Sequence, residues 1–81
     1  MSKIKDEKIK ETVYAILAER EKYPREISFA LHFCEEALEL SGESLREKCK
    51  YILGNLIFWK SPRSAKIKIK LRKFAFKKDL T

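Results

Sequence analysis

One stretch decides the fold class of this chain: SPRSAKIKIKLRKFAFKK, residues 61–78. Ser61 before Pro62 is a helix-start signal, because serine caps a helix and proline fits its first turn. At a helical period the apolar residues form two stripes, Ile67, Leu71 and Phe74 on one side and Ala65, Ile69, Phe76 and Leu80 on the other. We therefore predict that the chain ends in a helix.

A strand over residues 65–78 is the alternative. Lys66 to Leu71 alternates strictly between basic and apolar residues, which is a strand pattern. No other segment alternates, and a lone strand leaves its hydrogen bonds unpaired. A strand here would therefore need a second chain beside it.

The same stretch carries the charge of the protein. The last 22 residues hold nine of the nineteen basic residues and one acid, a net of +8, whereas residues 1–59 hold ten bases and eleven acids, a net of −1. A dense cationic segment is the usual footprint of a polyanion partner, most often nucleic acid. The residues predicted to bind phosphate, all within the basic segment 60–78, are Lys60, Arg63, Lys66, Lys68, Lys70, Arg72, Lys73, Lys77 and Lys78.

Aromatic residues near these bases extend the prediction. If they are exposed, Trp59, Phe74 or Phe76 would stack on unpaired nucleobases. The chain contains no recognition-helix motif and no RNA-binding signature, so sequence-specific recognition of DNA is not expected. We therefore expect either RNA binding or nonspecific binding of nucleic acid.

The alternative function is a protein interaction module or a homo-oligomer. In that case the bases only solvate the last helix, and acids such as Glu35, Glu39 or Glu43 balance part of their charge. A membrane partner is not expected, because two apolar stripes do not make one clean amphipathic face.

Three further helices are predicted upstream. The first covers residues 3–22, with Ile9, Val13, Ile16 and Leu17 on its apolar face. The second runs from Pro24 to Leu40 and has two apolar stripes, so we expect it to be central. Ser41-Gly42 ends it, with Gly42 in a left-handed cap.

The third predicted helix begins at Ser44, where Ser44 and Glu47 fit a capping box. Its buried face is predicted at Leu45, Cys49, Ile52, Leu56 and Trp59. Gly54 weakens the helix by about 1 kcal/mol relative to alanine, and close approach of another helix is one reason to have glycine there.

A short repeat links the two halves. Lys22-Tyr-Pro-Arg25 and Lys60-Ser-Pro-Arg63 lie 38 residues apart, near the period of two-helix repeats of the HEAT type. The prediction is one all-α domain, residues 1–81, with four helices in two stacked hairpins.

This layout resembles a small archaeal family of helical proteins, uncharacterised protein family 147. The resemblance rests on Pro24-Arg25 with Ile27, on Ala37-Leu38, on Ile52-Leu53 and on Pro62-Arg63. The chain departs from the family pattern at Phe58-Trp59 and in its basic last helix. The resemblance implies a helical fold and an archaeal origin, and it implies no activity.

The chain shows no pattern of an enzyme. The single histidine, His32, has the i, i+4 spacing for a pair with Glu36, and we expect it to be solvated or packed against a helix rather than to bind a metal; there is no glycine-rich phosphate loop. We predict a non-enzymatic protein without cofactors. Cys34 and Cys49 are expected to be buried thiols, with a bridge between helices as the alternative. The charged N-terminus lacks a signal-peptide pattern, so a cytoplasmic location is expected.

Overall fold

The chain forms four helices: α1 (Ser2–Ala18), α2 (Ser28–Ala37), α3 (Gly42–Gly54) and α4 (Ser64–Ala75). This computed structural model describes the backbone of residues 2–76 and the side chains of residues 6–76. Within that range there is no strand, so the prediction of an all-α fold with four helices is confirmed, and the basic stretch is helical. None of these helices is long and apolar enough to cross a membrane.

The helix boundaries differ from prediction around Pro24. Helix α1 ends at Ala18, and α2 begins at Ser28 rather than at Pro24. A proline disfavours helical geometry in the residue before it, so Pro24 prevents α1 and α2 from joining into one helix, although α1 itself ends five residues before Tyr23. A series of tight turns therefore joins α1 to α2, closed by bonds such as Lys22 N–H to the Glu19 carbonyl, 2.9 Å.

Helix α3 is the central helix, and the prediction that α2 is central was wrong. Helices α1 and α3 each pack against all three other helices, and α3 packs most extensively, whereas α2 and α4 do not touch each other over the described residues. The second apolar stripe of α2 explains the error. Phe29 on that stripe is exposed, and Phe33 and Leu40 are only half-buried.

The start of α3 is capped from a distant part of the chain. The helix begins at Gly42, two residues before the predicted Ser44 start. Gly42 has a φ of +58°, a left-handed conformation as predicted, but at the beginning of α3 rather than as a cap ending α2. Its N–H donates to Asp6 Oδ2 at 2.9 Å, so a carboxylate from α1 occupies the capping position.

The core lies between the helices and contains the predicted apolar face of each. All five residues predicted for the buried face of the third helix have at most 1% exposure, including Leu56 and Trp59 beyond its last turn. From α4 the core takes Ile67, Leu71 and Ala75. Each fully buried leucine or isoleucine contributes about 1.5–3 kcal/mol. The basic helix is therefore an integral part of the packed domain.

Candidate nucleic-acid interface

The two apolar stripes of α4 have different environments. Ile67 and Leu71 are buried and Phe74 is half-buried, so this stripe fixes the helix against the core. The other stripe faces outward: Ala65 is exposed, and Ile69 and Phe76 are 52% and 57% exposed. The remaining member, Leu80, lies outside the described residues. The helix therefore presents apolar side chains to solvent among its bases.

Three lysines form one edge of this outward face. Lys66, Lys70 and Lys73 are spaced i, i+4 and i+7, so they share a side of α4, and all three are exposed. The spacing spans about 10 Å along the helix axis. Lys70 and Lys73 also line a groove of about 710 Å³ between α4 and α1, where Lys8 joins them. Glu11 lines the same groove and partly offsets this charge.

Lys68 has a structural role. Its Nζ donates to the carbonyl oxygens of Ile57 and Trp59, at 3.4 and 3.3 Å. These carbonyls belong to the chain segment that follows α3, where no helical amide is available to them. Lys68 therefore helps to hold this segment against α4, and it is less available to a ligand than the three exposed lysines.

The other predicted phosphate-binding residues lie near the ends of α4. Lys60 is exposed in the segment before the helix, and Arg63 directly precedes it. The Ser61-Pro62 pattern predicted the start of the last helix at Pro62, but α4 begins at Ser64. Ser61 Oγ accepts the N–H of Arg63 at 3.2 Å in the turn that precedes the helix. Arg63 Nη1 lies 3.9 Å from Glu19 Oε2. Lys77 and Lys78 lie outside the described residues.

Arg72 is exposed on the opposite edge of α4 from the three lysines. It lines a second groove, between α3 and α4, together with Lys68 and Lys50. Sequence reasoning missed Lys8 and Lys50, because they belong to the part of the chain whose net charge is −1. Only the packing of α1 and α3 beside α4 adds them to the basic surface.

The three aromatic residues proposed for stacking differ in accessibility. Trp59 is 1% exposed and belongs to the core, so its ring cannot meet a base. Phe74 is half-buried, with Arg46 Cζ 5.8 Å from its ring centroid. Phe76 alone of the three is exposed, and Lys50 Nζ lies 5.4 Å from its centroid. The exposure required for stacking is therefore met at Phe76.

The described acids form no direct ion pairs with the bases of α4. Over the side chains that the structure describes, no carboxylate lies within ion-pair distance of any base within α4 itself. Glu35 pairs with Arg20 at 3.5 Å, and Glu43 pairs with Arg46 at 3.6 Å. Because α2 does not touch α4, its acids cannot neutralise the basic helix by direct contact.

The acidic residues of α2 pair with other side chains of the domain. Glu36 accepts a hydrogen bond from Lys48 Nζ at 2.8 Å, and its carboxylate lies 3.1 Å from Nε2 of His32, four residues earlier on α2. The bond from Lys48 is the main cause that lowers the pKa of Glu36. Among the described residues no group of three or more His, Cys, Asp or Glu residues is arranged to hold a metal ion.

Cys34 and Cys49 are free, buried thiols from α2 and α3, so the bridge considered as an alternative is not formed. Burial raises the pKa of each thiol to about 12. They are neutral at physiological pH and pack as small apolar side chains.

Comparison with known proteins returned no matching family model, no matching curated protein and no matching solved structure. The resemblance to uncharacterised protein family 147 therefore stays a prediction.

Proposed function

We propose that this protein is a non-enzymatic nucleic-acid-binding protein that holds phosphates with the basic face of α4. The observation that carries the proposal is a segregation of charge. Helix α4 carries five bases and no acid, whereas α2, which does not touch it, carries two acids and neither lysine nor arginine. A cationic face whose bases form no ion pair with a described carboxylate attracts a polyanion, which releases its counterions on binding.

The rigidity of α4 strengthens the proposal. Ile67, Leu71 and Ala75 anchor the helix in the core, so its exposed lysines project from a fixed backbone. Ordering a flexible basic tail on a ligand would add an entropic cost that this helix avoids. Phosphate contacts carry no sequence information, and we therefore propose binding without regard to nucleic-acid sequence. We propose RNA as the ligand and the cytoplasm as the location.

The salt dependence of binding tests the proposal. The variant Lys66→Gln/Lys70→Gln/Lys73→Gln removes three exposed charges and leaves the core unchanged. The slope of log affinity against log salt concentration should become shallower by about 2 to 3, from about 0.7–0.9 per phosphate contact. Fluorescence anisotropy with a labelled oligonucleotide measures this slope.

The matched control removes equal charge elsewhere. Arg20, Lys22 and Arg25 are exposed in and near the connection between α1 and α2, and their replacement by glutamine gives the same net charge. The control should retain the salt slope of the parent protein. If both variants lose affinity equally, only net charge matters and the proposed face is wrong.

A second function is favoured by a separate observation. Among the side chains of residues 6–76, seven large apolar ones are more than half exposed: Tyr14, Phe29, Tyr51, Ile57, Phe58, Ile69 and Phe76. Exposed apolar surface on a small domain is typical of protein interaction sites or of homo-oligomers. Light scattering after nuclease treatment tests this alternative. A dimer at micromolar concentration would support it, and a monomer would count against self-association.

A further inference from the structure

The groove between α3 and α4 combines an apolar surface with positive charge. It has a volume of about 420 Å³ and is lined by Lys50, Leu53, Gly54, Ile57, Lys68, Arg72 and Phe76. No carboxylate lines it among the described residues, although Glu47 Oε2 lies 3.3 Å from Lys50 Nζ at its edge, whereas Glu11 lines the larger groove between α1 and α4. The α3/α4 groove is therefore the better place for a ligand that is both flat and anionic.

Phe76 supplies the flat surface. Its side chain is 57% exposed, and the ammonium of Lys50, which pairs with Glu47 in the free protein, lies 5.4 Å from the ring centroid, where it would be close to the phosphate of a stacked nucleotide. Ile57, which is 66% exposed, extends the apolar surface along the same groove. An aromatic ring flanked by cations is the arrangement that single-stranded nucleic acid uses for base stacking.

Gly54 leaves part of the α3/α4 groove without a side chain. A Cβ built on Gly54 would meet no atom within 4 Å, so no other helix of this chain approaches it closely. Its φ is not positive, so alanine would fit the backbone and form the better helix. Packing within the chain therefore does not require glycine there, and its missing side chain keeps the groove open.

We propose that the α3/α4 groove holds an unpaired nucleobase against Phe76, while Lys50 and Arg72 contact the phosphates beside it. The ligand is then single-stranded nucleic acid, an inference that rests on the proposed function. In a duplex the bases are stacked on one another and cannot reach Phe76. An acidic helix would also suit the groove, but the aromatic face of Phe76 beside Lys50 and Arg72 suits a stacked base with its phosphate, and the three exposed lysines on the opposite edge of α4 would bind phosphates farther along the strand.

The test compares single-stranded oligoadenylate with the oligoadenylate–oligouridylate duplex of the same length, by fluorescence anisotropy at fixed salt. The parent protein should prefer the single strand by at least about fivefold. Phe76→Ala should remove this preference and leave duplex affinity unchanged. Gly54→Gln should do the same by filling the groove, without a change of charge.

Phe29→Ala is the matched control, because Phe29 is 72% exposed on α2, which does not touch α4. It should keep the preference for the single strand. Equal loss in Phe29→Ala and Phe76→Ala would overturn the assignment of the groove. Polyglutamate should compete with an affinity that does not depend on Phe76, and the opposite result would assign the groove to an acidic peptide.

The outcomes separate this inference from the proposed function. Equal affinity for single strand and duplex, both lost in the Lys66/Lys70/Lys73 variant, would overturn the inference and support the proposed function. Failure to bind either ligand would overturn both.

Discussion

The bond between Asp6 and Gly42 gives a sharp test of how this fold is held together. Asp6 is 8% exposed, and its Oδ2 accepts the N–H of Gly42 at 2.9 Å across 36 residues of sequence. Ser41, the residue at the N-cap position, makes no side-chain capping bond. The carboxylate of Asp6 therefore satisfies a free amide at the start of α3 and lies at the positive end of the helix dipole.

We expect Asp6→Ala to lower the free energy of unfolding by about 2 kcal/mol, because a hydrogen bond to a charged group contributes about 1.5–3 kcal/mol. For a domain of this size this corresponds to a fall in Tm of roughly 8–16 °C. Asp6→Asn keeps an acceptor but removes the charge, so its loss should be smaller. Urea denaturation at neutral pH, followed by circular dichroism, measures all three proteins.

Ser44→Ala is the informative comparison, because the sequence favours Ser44 as the N-cap of α3. In the structure Ser44 lies inside the helix and is exposed, so its loss should change stability by less than about 0.5 kcal/mol. A loss at Ser44 equal to that at Asp6, or an Asp6→Ala protein as stable as the parent, would refute the assignment of Asp6 as the cap.

Two further predictions concern α4 and the thiols. Lys68→Met should cost about 0.5–1.5 kcal/mol in urea denaturation, since it removes the bonds to two carbonyls, whereas Lys70→Met should stay within about 0.5 kcal/mol; equal effects would contradict the structural role of Lys68. Cys34 and Cys49 should resist iodoacetamide at pH 8 unless urea is added, as mass spectrometry can show. Because their folded pKa of about 12 lies above the unfolded value of 9.0, the unfolded state loses protons first as pH rises. Stability should therefore fall between pH 9 and 12, less steeply in a Cys34→Ala/Cys49→Ala variant.

The sequence predicted the helices because their apolar residues recur at a helical period. The same signal identified the buried residues of α3 correctly as far as Trp59, although the helix itself ends at Gly54. Helix ends were less predictable. The sequence around Ser44 fits the capping-box pattern, so it predicts a helix start at that residue. The actual cap is Asp6, which only the packing of α1 brings to the start of α3.

The candidate site divides in the same way. Charge density in the sequence predicted the basic face of α4, because composition alone places those bases together. It did not distinguish Lys68, whose ammonium donates to a backbone carbonyl of the segment after α3, from Lys70, which is exposed. Nor did it separate Trp59 from Phe76, since exposure depends on which stripe the core covers.

The placement of α4 explains why the basic residues need not destabilise the domain. Like charges on one helix repel one another, and neighbouring carboxylates would relieve that repulsion. Here the acids of α2 pair with Arg20, Lys48 and His32, and α2 does not touch α4. The repulsion along α4 is therefore offset mainly by burial of Ile67, Leu71 and Ala75. A bound phosphate chain would relieve it directly, so a ligand that binds this face should raise Tm, and should do so most at low salt.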